Sequence, residues 1–207
     1  MKTCFDIGAN IGECTQWFLD QNYDKVISIE PGAEAFSQLF QKFNNNPRVI
    51  MHYLAISDKP GTIKFWNSNW HTTSTAAKAW VTNSRFSGKC AWEAVIKNAI
   101  TIDELINLHG LPNFLKVDVE GYELEVFKGL THNRIETIAF EWAEEEYTQL
   151  NNIVQYLKSI GYNEFSFTYA DNLSDSENLF YTEWEKLDIH LDIIPSRKER
   201  WGMVYAK

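Results

Sequence analysis

The segment Lys116-Val117-Asp118-Val119-Glu120-Gly121 puts three ionisable side chains at the end of a stretch, beginning Phe114-Leu115, that otherwise has the character of a buried strand. A parallel strand covered on both faces is almost wholly apolar, and an unpaired buried charge is costly. Position explains charges at the carboxyl end of such a strand, because ligands of open α/β sheets bind just outside those ends. With a period of two, Lys116, Asp118 and Glu120 share one face while Val117 and Val119 pack on the other. A carboxylate in such a group can take a proton from a reacting hydroxyl. A structural salt-bridge cluster is the alternative.

A second constellation opens the chain. Cys4-Phe5-Asp6-Ile7-Gly8-Ala9-Asn10-Ile11-Gly12 runs from a short apolar strand into Glu13–Leu19, which has a helical pattern. Gly8 and Gly12 permit a tight turn and close backbone approach to a ligand. The backbone N–H groups that begin the helix are expected to be free to bind it. Farther on, the strand Lys25–Ile29 ends in Glu30-Pro31. An acidic residue there is placed to accept both hydroxyls of a ribose.

Taken together, Asp6-Ile-Gly-Ala-Asn-Ile-Gly12, Ile29-Glu30-Pro31 and Lys116-Val-Asp-Val-Glu-Gly121 resemble the FkbM family of S-adenosylmethionine-dependent methyltransferases. The resemblance continues through Ala55-Ile56-Ser57-Asp58-Lys59-Pro60-Gly61-Thr62, through Ile102–Leu105 and through Tyr122–Gly129. It covers roughly residues 3 to 142 and, more loosely, the final strand. It implies a Rossmann-like class I fold, a single α/β domain over residues 1–207 with a doubly wound, mostly parallel seven-stranded sheet and an antiparallel last strand. It also implies S-adenosylmethionine bound by Asp6, Gly8, Asn10, Gly12, Glu30, Pro31, Ala55, Ile56, Asp58 and Asp118. The family is associated with O-methylation of sugars, glycoconjugates and polyketide-type metabolites, so a hydroxyl acceptor on a small molecule or glycan is expected.

The charge inventory supports the same cofactor independently. A nicotinamide dinucleotide carries an anionic pyrophosphate and favours Gly-x-Gly-x-x-Gly without a neighbouring carboxylate. Here Asn10 stands at the middle glycine and Asp6 at the start of the turn. A site lined by Asp6, Glu30, Asp118 and Glu120 suits a sulfonium and an ammonium and repels a pyrophosphate. An NAD(P)-dependent oxidoreductase and a non-catalytic cofactor-binding relative are the alternatives. Methyl transfer to an alcohol needs alignment of acceptor and methyl and a base for the proton. Asp118, Glu120, Glu141 and His71 are the candidates. Asp118 ranks first by position, either as base or as cofactor ligand. Asp58 binds the adenine amino group or simply starts a turn. Asp118 and Glu141 end neighbouring strands and could share a divalent ion, but the histidines show no ligand spacing and no required metal is expected.

These residues need a scaffold, and the pattern provides one. Strand and helix patterns alternate: Thr3–Ile7, Val26–Ile29, Val49–Ala55, Thr62–Trp66, Phe114–Val119, Glu136–Trp142, Glu164–Tyr169 and Gly202–Ala206 read as strands. Ala33–Phe43, Ile102–His109, Tyr122–Lys128 and Glu144–Ile160 read as helices by their apolar spacing. Alternation of this kind predicts a doubly wound sheet with helices on both faces. Residues 67–98 form an aromatic-rich insertion, and Trp66, Trp70, Trp80 and Trp92 with Phe86, spread over residues 66–92, either make a lid over a sugar-like acceptor or patch the core. Residues 171–199 form a variable loop. Only Met1 and Lys2 precede the first strand, so site closure is expected from the insertion, from the variable loop or from a second subunit.

A net charge of −9 argues against a nucleic-acid acceptor, since phosphate binding needs clustered Lys and Arg. Cys4, Cys14 and Cys90 are too few for a disulfide framework. With no signal peptide and no membrane-spanning run, a cytoplasmic location without membrane insertion is expected.

Overall fold

The computed structural model describes residues 1–132, 134–169, 179–187 and 201–207. Strands β1 (Thr3–Ile7), β2 (Lys25–Ile29) and β3 (Val49–His52) pair in parallel, as do β7 (Phe114–Val117) and β8 (Thr137–Ala143). Strand β10 (Trp201–Ala206) lies antiparallel between β8 and β9 (Phe165–Phe167). The spatial order is β3-β2-β1-β7-β8-β10-β9. Strand order reverses between β1 and β7, which pair from Cys4↔Phe114 to Ile7↔Val117, and this switch point is where open α/β sheets bind ligands. The mostly parallel seven-stranded sheet with its antiparallel last strand is as the sequence predicts.

Alternation along the strands divides the core. Cys4, Val26 and Phe114 pack with Phe18 and Leu19 of α1 (Glu13–Asp20) and with Leu39 and Phe43 of α2 (Ala33–Phe43). Phe5, Ile27 and Leu115, one residue along, pack on the other face against α4 (Ile102–His109), α5 (Glu123–Lys128) and α6 (Tyr147–Ser159). A capping box starts α4: Glu104 N donates to Thr101 Oγ1 at 3.0 Å, and Thr101 N donates to Glu104 Oε2 at 3.0 Å.

Three elements differ from the sequence expectation. The strand expected over Val49–Ala55 stops at His52, and Ala55–Ile56 (β4) belongs instead to a separate sheet of order β4-β6-β5. In that sheet β5 (Gly61–Ser68) pairs antiparallel with β6 (Trp92–Ile100) from Gly61↔Ala99 to Ser68↔Trp92. The insertion is therefore the tip of a long hairpin, carrying a 3₁₀ turn over His71–Thr73 and the short α3 (Lys78–Asn83). β6 was not anticipated because its residue types do not follow its burial: Ile96 is exposed whereas Lys97 is half-buried. Finally, β7 ends at Val117, and Glu120 sits at φ 57 in a turn, so strand alternation does not carry through to it. Among the described residues no helix is long and apolar enough to cross a membrane.

Candidate active site

A cavity of about 530 Å³ lies over the carboxyl ends of β1, β2, β7 and β8, and the hairpin tip contributes His71, Thr72, Ser74, Arg85 and Phe86 to its wall. Its walls include Gly8, Asn10, Glu30, Pro31, Ala55 and Ile56, together with His71, Asp118, Glu120 and Glu141. The structure thus gathers ten of the predicted site residues around one space. Asp6, Gly12 and Asp58 do not line it.

Each of those three has a different task. Asp6 is fully buried on the α1 face of β1, accepts a hydrogen bond from Thr15 Oγ1 at 2.7 Å and lies 3.5 Å from Lys116 Nζ. Thr15 Oγ1 also meets Ser28 Oγ at 2.8 Å, so the pair is embedded in a polar cluster between sheet and helix. Gly12 has φ 86, and a Cβ there would come within 2.4 Å of Phe43 Cε2, so this glycine serves packing against α2. Asp58 accepts from Ser57 Oγ at 3.1 Å and pairs with Lys59 at 3.5 Å, which is the turn-starting reading.

Gly8 is needed for sheet assembly as well as for the cavity. At φ 77, an added Cβ would sit 1.7 Å from the Asp118 carbonyl oxygen, where the chains leaving β1 and β7 cross. The turn that follows spends its amides inside the protein: Gly8 N and Ala9 N donate to Ile29 O at 3.0 Å, Asn10 N to Glu30 Oε2 at 2.9 Å and Gly12 N to Ala9 O at 2.8 Å. Four amides of the turn, those of Gly8, Ala9, Asn10 and Gly12, are thus taken up inside the protein.

Glu30 is held firmly. Besides Asn10 N, the Gly32 amide donates to its Oε1 at 2.6 Å. Burial pushes its carboxyl up to about 7, while the two amide bonds and Lys116 pull the other way. Asn10 does double duty, since its side-chain oxygen lies 2.6 Å from His71 Nδ1. With the amide oxygen as acceptor, Nδ1 is the donor, and in the neutral imidazole Nε2 is then the acceptor.

The charged segment after β7 forms the other wall. Lys116, 2% exposed, donates to the Gly8 carbonyl at 3.1 Å and pairs with Asp118 Oδ2 at 3.1 Å. Asp118, Glu120 and Glu141 each offer a carboxylate oxygen within 4.8 Å of one another. Loss of hydration pushes the Glu120 carboxyl well above the usual range, with Asp118 and Glu123 adding to the shift and Arg85 and Lys116 opposing it.

The turn that displays Glu120 is clamped by residues that sequence reasoning missed. Glu123 Oε1 accepts from the amides of Val119 at 2.9 Å and Gly121 at 3.4 Å. The buried Thr75 hydroxyl donates to the Glu120 carbonyl at 2.7 Å, and Gln149 Nε2 donates to the Gly121 carbonyl at 3.1 Å. These bonds hold a non-glycine residue in the left-handed region, which costs roughly 1–2 kcal/mol. Arg85, Phe86, Tyr122 and Trp201 also line the cavity. None of the four insertion tryptophans does: Trp80 and Trp92 pack in a small core of their own, and Trp70 is exposed at the surface.

Residues 6–164 match the methyltransferase FkbM domain. The chain belongs to the FkbM methyltransferase family. The hexuronic acid methyltransferase AglP of Haloferax volcanii is 31% identical to this FkbM domain over 144 residues, covering 66% of the chain and 52% of AglP. The chain thus spans about half the length of the curated relative it matches. Among solved structures, precorrin-6y C5,15-methyltransferase from Geobacter metallireducens superposes with a TM-score of 0.50 at 10% identity, covering 100% of this chain and 79% of that one. Aeropyrum pernix fibrillarin, solved with natively bound S-adenosyl-L-methionine, also gives 0.50, at 9% identity and with 100% and 66% covered. At such identity these two establish the shared Rossmann-like class I methyltransferase fold of the FkbM domain.

Proposed function

We propose that residues 1–207 act as one methyltransferase domain that moves a methyl group from S-adenosylmethionine to a hydroxyl of a saccharide. The observation that carries this reading is the charge of the cavity wall. Its acidic groups, Glu13, Glu30, Asp118, Glu120 and Glu141, outnumber its two cations, and both cations are already ion-paired, Lys116 with Asp6 and Asp118 and Arg85 with Glu145. Such a wall fits a cationic nucleoside and disfavours a pyrophosphate.

Bound S-adenosylmethionine supplies a methyl carbon made electrophilic by its positive sulfur. Glu30, oriented by the Asn10 and Gly32 amides, holds the ribose hydroxyls, and Pro31, Ala55 and Ile56 supply apolar surface beside the adenine. On the acceptor side, the hydroxyl proton passes to Asp118, with Glu120 and Glu141 completing the receiving cluster and His71 Nε2 as a second acceptor within the same cavity. The hairpin tip over residues 67–98 forms the acceptor-side cover through His71, Thr72, Ser74, Arg85 and Phe86. Much of the variable loop 171–199 lies outside the described residues. The saccharide assignment is supported by the similarity to AglP, a hexuronic acid methyltransferase. The three free cysteines suit a reducing, cytoplasmic setting.

Calorimetric titration with S-adenosylhomocysteine, with NADH alongside, tests the cofactor. Micromolar binding of the first and none of the second is expected, and the reverse result overturns the proposal. Release of S-adenosylhomocysteine on adding glucuronides and galacturonides then tests the acceptor class.

A further inference from the structure

Asn10 joins two parts of the cavity wall, because its backbone and its side chain hold different partners. Its amide donates to Glu30 Oε2 at 2.9 Å, while its side-chain oxygen lies 2.6 Å from Nδ1 of His71, 61 residues along the chain at the hairpin tip. Asn10 and His71 are both half-buried and both line the cavity.

The turn alone does not call for an asparagine here. Asn10 has φ 50, in the left-handed region that glycine adopts at less cost, as Gly8 and Gly12 do on either side. A glycine would lack only the side-chain acceptor. His71, for its part, draws no ring partner from its own hairpin. The 3₁₀ turn that carries it is closed by other bonds: Thr73 N donates to Trp70 O at 2.9 Å and Ser68 N to Ser74 Oγ at 3.0 Å. Among the described residues, the one hydrogen bond to the His71 ring is that with Asn10. The hairpin fixes the backbone of His71, and Asn10 fixes the ring.

We infer that the Asn10 side chain is a positioning group for the acceptor rather than a cofactor ligand: it holds the His71 ring so that Nε2 accepts a hydrogen bond from an acceptor hydroxyl. This rests on the hydroxyl-acceptor reading above. With Nδ1 donating to Asn10 Oδ1, the neutral ring has its acceptor at Nε2. A hydroxyl bound there is fixed in direction, and alignment of acceptor and methyl is what an oriented group contributes to the rate. Proton uptake stays with Asp118 and its neighbouring carboxylates. Asn10 thereby ties the two recognition tasks together, since its amide orients Glu30 and its side chain orients His71.

The test compares Asn10→Gly, Asn10→Asp and His71→Ala with the wild type. Asn10→Gly suits the backbone and keeps the amide that meets Glu30, so it removes only the side chain. Asn10→Asp restores an acceptor at the same place. Long-range proton–nitrogen spectra at about pH 8, above the ordinary histidine range, report which ring nitrogen carries the proton. His71→Ala identifies the signal. The wild-type ring should be protonated at Nδ1, and that pattern should be lost in Asn10→Gly and return in Asn10→Asp. With a saccharide acceptor, kcat/KM should fall about tenfold in Asn10→Gly and recover to within about twofold in Asn10→Asp, as loss and return of one hydrogen bond imply. Adding Asn10→Gly to His71→Ala should cost nothing more, and affinity of Asn10→Gly for S-adenosylhomocysteine should match the wild type. Full activity of Asn10→Gly means that Asn10 serves the turn alone. Lost S-adenosylhomocysteine affinity makes its side chain a cofactor ligand, and additive losses separate it from His71. Each of these outcomes overturns the assignment, as does a wild-type ring protonated at Nε2. If no saccharide is methylated, the saccharide reading falls, and the ring spectra with the S-adenosylhomocysteine affinities decide the role of Asn10.

Discussion

Glu30 and Glu120 line the same cavity and both have carboxyls pushed upward by lost hydration, yet their surroundings differ in kind. Glu30 meets two backbone amides aimed at its two oxygens. Glu120 meets other carboxylates, Asp118 and Glu141, and its position depends on a clamped left-handed turn. Amide donors favour the ionised form and fix its direction, which suits a group that binds hydroxyls unchanged through a catalytic cycle. Crowded carboxylates favour uptake of a proton, which suits a group that must take one from an acceptor. On the proposed reading, one wall serves recognition and the other takes up a proton.

The strongest way to break this contrast is Asp118→Asn. The substitution removes one of the two ion-pair partners of Lys116 and an electrostatic contributor to the proton affinity of Glu120. We expect kcat to fall on the order of 10³-fold, within the range for loss of a general base. Affinity for S-adenosylhomocysteine and thermal stability should change far less, since Asp118 is 24% exposed and the buried Asp6–Lys116 pair remains. Retained activity removes Asp118 from the mechanism. A matching loss of cofactor affinity makes it a cofactor ligand instead.

Glu30→Ala addresses the other wall and should give the complementary pattern. Two charge-assisted hydrogen bonds at roughly 1.5–3 kcal/mol each imply a loss of cofactor affinity of at least about 100-fold, with kcat at saturation largely kept. The pH dependence sharpens this further. Because the Glu30 carboxyl is raised from 4.5 to about 7, the folded protein keeps a proton that the unfolded chain has released between those values. Its contribution to stability without ligand therefore declines as pH rises through that window. Ribose hydroxyls donate to the ionised form, so cofactor affinity should rise by up to about tenfold from pH 6 to 7, with proton release visible as a buffer-dependent binding enthalpy. Glu30→Gln should abolish both effects. Affinity independent of pH in the wild type means that Glu30 does not hold the ribose.

The recognition wall was the more legible of the two in the sequence, for a physical reason. Glu30 follows a strand and its amide partners lie within a few residues of a glycine turn, so local pattern suffices. Asp6 looked equivalent, but alternation cannot tell a side chain aimed at the cleft from one aimed at a covering helix, and Asp6 points toward Thr15. Gly12 carried the same ambiguity between ligand approach and helix packing. The proton-accepting wall depends on partners distant in the chain: Thr75 holds the Glu120 carbonyl and Arg85 is fixed by Glu145. Nothing in the spacing of those residues marks them, because the hairpin brings them to the site. The doubly wound, mostly parallel sheet, by contrast, follows from βα alternation, while its antiparallel last strand was implied by the family resemblance.

A last and smaller effect separates the cavity from the rest of the sheet. His52 and His109 place their Nε2 atoms 2.8 Å apart; neither side chain lines the cavity, and the Glu30 amide donates to the His52 carbonyl at 3.1 Å. One nitrogen must donate and the other accept, so a doubly protonated pair would set two donors face to face. Burial lowers both imidazoles from 6.5, and His52 and Lys25 add to the shift at His109. A lowered histidine means that the unfolded chain binds more protons, so this contribution is present above 6.5 and is lost as pH falls below it. The sign is opposite to that of Glu30, whose protonated form is the one favoured in the unliganded fold. His109→Gln should cost about 1 kcal/mol at pH 8, as one hydrogen bond does, and should flatten the loss of melting temperature between pH 7 and 5.5. It should leave the pH dependence of cofactor binding untouched. If the variant shifts that binding profile as well, the proton released on cofactor binding is not confined to Glu30 and the contrast between the two walls must be redrawn.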